Sequence, residues 1–93
     1  MIGAPYVASI NSKQKKTLAA VFKNPVSGAL EWADIESLLV AAGCEVVEGS
    51  GSRVRFVKGE NVASFHRPHP EKEAKRYQVK DAGEFLNLIG ATP

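Results

Sequence analysis

One cysteine, two histidines and no apolar run of membrane length narrow what this 93-residue chain can be. A lone Cys44 excludes an internal disulfide, and with so few histidines a closed zinc site lacks ligands, so no metal is expected. The opening "MIGAPYVASINSKQKK" carries no basic region followed by a long apolar run, and no stretch approaches the roughly 20 apolar residues that span a bilayer. Neither secretion nor membrane contact is expected, and a reducing, cytoplasmic setting follows. The composition, 44% apolar and 24% charged, is far from that of a disordered chain. At this length one core suffices, so a single domain over 1–93 is expected.

Charge of one sign is missing from whole blocks. Residues 1–30 hold four lysines and no acid, and residues 31–48 hold five acids and no base. From Gly49 to Lys80 eight basic residues face three acids, although the net charge of the chain is only +2. Charges act together within a Debye length of about 8–10 Å, so such a block attracts polyanions whatever the total.

Periodicity predicts the elements. Asn11 and Ser12 cap an amphipathic helix that runs to about residue 23, with Leu18, Val21 and Phe22 inward, and Asn24-Pro25 stops it. In "EWADIESLLVAAG", Trp32, Ile35, Leu38, Leu39 and Ala42 recur at three and four, and Gly43 is placed to end the helix. The period then becomes two: "CEVVE", "SRVRFVK" and "NVASFH" read as strands, the last two joined by a turn at Gly59-Glu60. That turn sets Arg53 opposite His66, Val54 opposite Phe65, Arg55 opposite Ser64, Phe56 opposite Ala63 and Val57 opposite Val62. Alternation then sends Val54, Phe56, Ala63 and Phe65 to the helices and Arg53, Arg55, Ser64 and His66 to the other face. Residues 67–78 read as a Pro-rich, charged loop. A last helix follows, with Asp81 and Glu84 as its capping box, Ala82, Phe85, Leu86 and Ile89 as its buried stripe, and Gly90 as its end. The fold class is α+β: a three-stranded antiparallel sheet with helices on one face.

The polar sheet face carries the chemistry. A guanidinium grips phosphate through two parallel hydrogen bonds, and an imidazole exchanges protons near neutral pH. Cleaving RNA requires a base for the 2′-hydroxyl, an acid for the departing oxygen and cations around phosphorus, and no metal is obligatory for it. His66 is the first candidate for proton transfer and His69 the second. Arg53 and Arg55 are the first phosphate binders, joined by Gly51, Ser52, Arg67, Lys75 and Arg76. "GSGS" at 49–52 lacks the strand and helix of a P-loop and reads as a turn. Ser50 or Ser52 with His66 makes no hydrolase, because no nucleophile elbow is present. Cys44, Trp32 and Phe22 read as core residues, and Tyr77 as packing at the start of the last helix, with base stacking as its other use.

Taken together, "IESLLVAAGCEVVEGSGSRVRF", "VASFHRPHP" and "YQVKDAGEFLNLIG" resemble the HicA family of bacterial toxins from type II toxin–antitoxin systems. The resemblance covers about Glu31 to Gly90, the core, and the lead "KKTLAAVFKNPVSGALEW" (extra helix 11–23) is similar to the addition found in one subgroup. It implies a double-stranded-RNA-binding-domain-like fold and a small ribonuclease that cleaves mRNA, held inactive by a HicB antitoxin, with no small-molecule cofactor. In typical members a catalytic histidine follows the Gly-Ser pair, whereas Arg53 follows Gly51-Ser52 here, and a guanidinium stays protonated. The expected register brings His66 opposite that position, so the expectation is a metal-independent endoribonuclease using His66. Two other readings stay open: a non-catalytic RNA-binding module, and a protein-docking domain of the same fold.

Overall fold

The computed structural model describes residues 10–93. The order is α1 (Ser12–Val21), α2 (Trp32–Ala41), β1 (Glu45–Glu48), β2 (Arg53–Lys58), β3 (Asn61–His66) and α3 (Arg76–Leu88). This α+β arrangement of an antiparallel sheet ordered β1-β2-β3 with three helices is consistent with a double-stranded-RNA-binding-domain-like fold.

Local chemistry explains the helix ends. At α1 the Asn11 side chain accepts from the Gln14 N–H at 2.8 Å while Gln14 Oε1 accepts from the Asn11 N–H at 2.9 Å, a reciprocal cap. No side chain caps α2; instead the Trp32 N–H donates to the Lys72 carbonyl at 2.9 Å, and Ala74 N–H donates to Leu30 O at 2.8 Å. A segment before α3 thus satisfies the start of α2. The last turns of α2 and α3 close alike. Gly43 (φ +97°) and Gly90 (φ +83°) take the left-handed conformation, and the residue after each, Cys44 and Ala91, returns its N–H to Leu39 and Leu86 carbonyls at 3.1 and 2.8 Å. The Lys58 ammonium adds a hydrogen bond to Ala42 O at 2.9 Å.

The strand register is the expected one. Arg53 pairs with His66, Val54 with Phe65, Arg55 with Ser64, Phe56 with Ala63 and Val57 with Val62. Gly59, at φ +61°, occupies the first of two loop positions between Lys58 and Asn61, where this hairpin needs a positive φ. Trp32 of α2 lies 5.0 Å from Phe65 and 6.2 Å from Phe56, ring centre to ring centre, so α2 rests on the apolar sheet face through an aromatic trio. Ile35, Leu38, Leu39, Val54, Val79 and Leu86 complete the core around it.

Four expectations are corrected. The first strand begins at Glu45 rather than Cys44, because Cys44 belongs to the closing turn of α2. The last helix starts at Arg76, five residues before Asp81, so the stretch to residue 78 is only partly loop. Its first turn is held by Gln78, whose Oε1 accepts from the Lys75 N–H at 3.0 Å and whose Nε2 donates to His66 O at 2.7 Å. A polar residue in a charged stretch hid that start, although Gln78 is buried. Phe22 is 36% exposed rather than core, since it follows the helix at the C-cap, past the buried stripe of Thr17, Leu18 and Val21. Tyr77 is 59% exposed and does not serve as packing.

Candidate functional site

The outward face of β2 and β3 brings four of the expected residues together. Arg53, Arg55, Ser64 and His66 are exposed there, because alternation sends Val54, Phe56 and Phe65 into the core. With Gly49 and Ser50 they line a groove of about 290 Å³. Directly opposed residues stand with Cβ atoms about 4.5–5.5 Å apart, so the Arg53 and His66 side chains rise from one spot. Among the described residues neither Arg53 nor Arg55 has a carboxylate partner, and this end of the face is positively charged.

The connection from β1 to β2 shapes the rim. The Arg53 N–H donates to Ser50 O at 3.2 Å and the Gly49 N–H to Arg53 O at 2.9 Å, closing a tight turn over Gly51 and Ser52. Gly51, at φ +63°, holds the position that needs glycine. Ser52 ends the turn with its hydroxyl 3.3 Å from His66 Nδ1.

Arg67 lies elsewhere. The alternation that exposes His66 turns Arg67 toward the helices, where Nε and Nη2 donate to Glu36 at 3.0 Å each and Nη1 and Nη2 donate to Glu48 at 2.7 and 2.9 Å. Two carboxylates, Glu48 foremost and then Glu36, hold the guanidinium firmly protonated, and its hydrogen bonds hold both acids below the usual carboxylate range. Glu36 also accepts from Trp32 Nε1 at 2.8 Å. Arg67 therefore ties the ends of β1 and β3 to α2. The sequence reasoning missed this triad, though extending the alternation by one residue beyond His66 would have pointed Arg67 at the acids of α2.

A depressed carboxylate stabilises the fold above its unfolded value, about 4.3 for glutamate, and loses that contribution as pH falls through the lower folded value. Arg67→Ala should lower the melting temperature at pH 7 by about 4–8 °C, the shift that a loss of about 1 kcal/mol gives in a domain this size. Since the guanidinium that depresses both acids is then gone, the variant should also lose less stability than the parent below about pH 4. Thermal melts at the two pH values check this; parallel pH dependence in both proteins would refute the role.

The remaining candidates are scattered. His69 is exposed in the loop after β3 and is not part of the groove lining. Lys75 is exposed as the residue before α3, and the Arg76 guanidinium lies along the 26–28 backbone, with Nε 3.4 Å from Val26 O. Cys44 is buried, and desolvation pushes its thiol up, away from nucleophilic use. No three His, Cys, Asp or Glu side chains gather as a metal site among the described residues, and no helix among them is long and apolar enough to cross a membrane.

Residues 32–88, more than half of the chain, match the family described as the HicA toxin of bacterial toxin-antitoxin. That span runs from α2 to the end of α3 and leaves α1 outside. No curated protein and no solved structure matches the chain.

Proposed function

We propose, for a chain that belongs to the HicA family of toxins from bacterial toxin–antitoxin systems, that the outward sheet face binds mRNA and cleaves it. Family membership implies an antitoxin partner; the finer reading makes that partner HicB-like and has it neutralise the toxin by covering this face. The observation that carries the reading is the pairing of Arg53 with His66 beside Arg55 and Ser64, a cationic groove with one group able to move protons.

His66 takes the 2′-hydroxyl proton, the 2′-oxygen forms its bond to phosphorus, and the bond from phosphorus to the 5′-oxygen breaks. Water in the open groove supplies the proton to the departing oxygen, and the products end in a cyclic phosphate and a 5′-hydroxyl. Arg53 and Arg55 hold the phosphate and oppose the charge that builds there. Arg67 is left out, being engaged by Glu36 and Glu48, and so is His69, which stands outside the groove lining.

A second reading, binding without scission, is favoured by Arg53, which stands where the family resemblance would put a histidine. Incubating the purified chain with labelled RNA at low and high salt separates the two. Cleavage to cyclic-phosphate ends is expected, with RNA affinity falling as salt rises because phosphate contacts release counterions. RNA that is bound in a salt-dependent way but stays intact would leave only the binding reading, and neither binding nor cleavage at low salt would end both.

A further inference from the structure

We infer that Ser52 is a positioning residue that holds His66 in the tautomer bearing its proton on Nδ1, so that Nε2 offers a lone pair to the RNA. The inference rests on the ribonuclease reading but adds to it a role for the serine of the Gly51-Ser52 turn.

Three observations carry it. First, the Ser52 hydroxyl lies 3.3 Å from Nδ1, and no other side chain among the described residues is hydrogen-bonded to that ring. Second, both backbones are fixed before any substrate arrives. Ser52 O accepts from the Arg67 N–H at 2.8 Å, prolonging the β2–β3 ladder by one pair, and Arg67 is itself tied to Glu36 and Glu48. On the other strand, His66 O accepts from the buried Gln78 amide at 2.7 Å. Third, Ser52 stands in a turn that Gly51 closes at φ +63°, which sets the hydroxyl beside the neighbouring strand. Holding two exposed side chains together costs little when their backbones are already set.

The chemistry selects the direction of the hydrogen bond. A general base must reach the 2′-hydroxyl with an unprotonated nitrogen, and the hydroxyl of Ser52 can accept from Nδ1–H before and after Nε2 takes a proton. Ser52 thus serves the neutral and the charged ring alike, in the manner of a group that orients a catalytic imidazole without taking its proton. A threonine places the same oxygen on the same carbon. Alanine removes it.

Long-range proton–nitrogen NMR of the intact chain at about pH 8.5, two units above the usual imidazole value of about 6.5, reads the tautomer directly. His66 signals are separated from those of His69 by comparison with His66→Ala. The expected result is Nδ1–H in the parent and in Ser52→Thr, Nε2–H in Ser52→Ala, and a kcat for RNA cleavage about tenfold lower in Ser52→Ala with KM little changed. An unaltered tautomer in Ser52→Ala would overturn the inference, as would a lowered kcat that Ser52→Thr fails to restore. A tautomer that follows Ser52 in a parent chain unable to cleave RNA would sink the ribonuclease reading and leave the hydrogen bond standing.

Discussion

His66→Ala should leave the fold intact and lower RNA cleavage by about a hundred- to ten-thousand-fold, the range over which a positioned acid or base contributes. The imidazole is exposed on the outward face and contributes nothing to the core, while the backbone pairing to Arg53 and the Gln78 hydrogen bond to the His66 carbonyl do not involve the side chain. Thermal melting should therefore move little. RNA affinity should also stay close to that of the parent, because the proposed phosphate grip is that of Arg53 and Arg55. Arg53→Ala beside it should show the opposite pattern: weaker binding across all RNA sequences, with the slope of affinity against salt reduced by about one counterion. Cleavage assays with matched melts and filter binding read all three quantities. Full cleavage by folded His66→Ala would remove His66 from the chemistry. Equal losses of binding in both variants would mean that the imidazole holds RNA and does not move protons.

Phe56→Ala should lower stability by about 3–5 kcal/mol, the cost of deleting a buried aromatic ring and leaving a cavity. The side chain is fully buried at the centre of the middle strand, 5.9 Å from Phe65 and 6.2 Å from Trp32 between ring centres, so the surroundings cannot collapse into the space without moving α2. Against a typical total of about 5–15 kcal/mol, that is a large share of the whole. Trp32 is the only tryptophan of the chain, and it reports directly on the trio. With a urea slope of about 1–3 kcal/mol per molar, the midpoint of its fluorescence transition should fall by at least about 1 M, and Phe56→Leu by less. A shift of only a few tenths of a molar would show that the trio is not where the core's stability resides. Because Arg53 and Arg55 precede this residue in the same strand, the groove should be lost with the fold under urea, and RNA binding should vanish along the same transition.

Most of the site was legible because a strand's period of two converts a register into a surface. Once a two-residue turn at Gly59 and Glu60 is assigned, Arg53 must face His66, and the apolar partners Val54 and Phe65 must face the core. A one-residue slip would have turned both arginines toward the apolar face, where burying their charges costs heavily. What periodicity could not reach lay where it was interrupted. The start of α3 was concealed by a charged stretch in which the buried Gln78 is polar and is satisfied by the Lys75 N–H at the helix's own cap and by the His66 carbonyl at the end of β3. Phe22 followed the helical pattern but fell just beyond the last helical residue.

Local sequence was enough to set the order of the elements, the partition of the sheet into an apolar and a basic face, and the presence of His66 opposite Arg53. Each of these depends on residues close in the chain or joined by a short turn, where sterics and alternation leave few choices. Which cations stay unpaired by carboxylates is settled by how the elements pack. Arg67 and Arg55 look alike in the sequence, yet Arg55 stands open on the outward face while Arg67 is held by Glu36, 31 residues away, and by Glu48, 19 residues away. The physical reason is that an ion pair is specified by distance in space, and the chain closes those distances only when α2, β1 and β3 meet around one core.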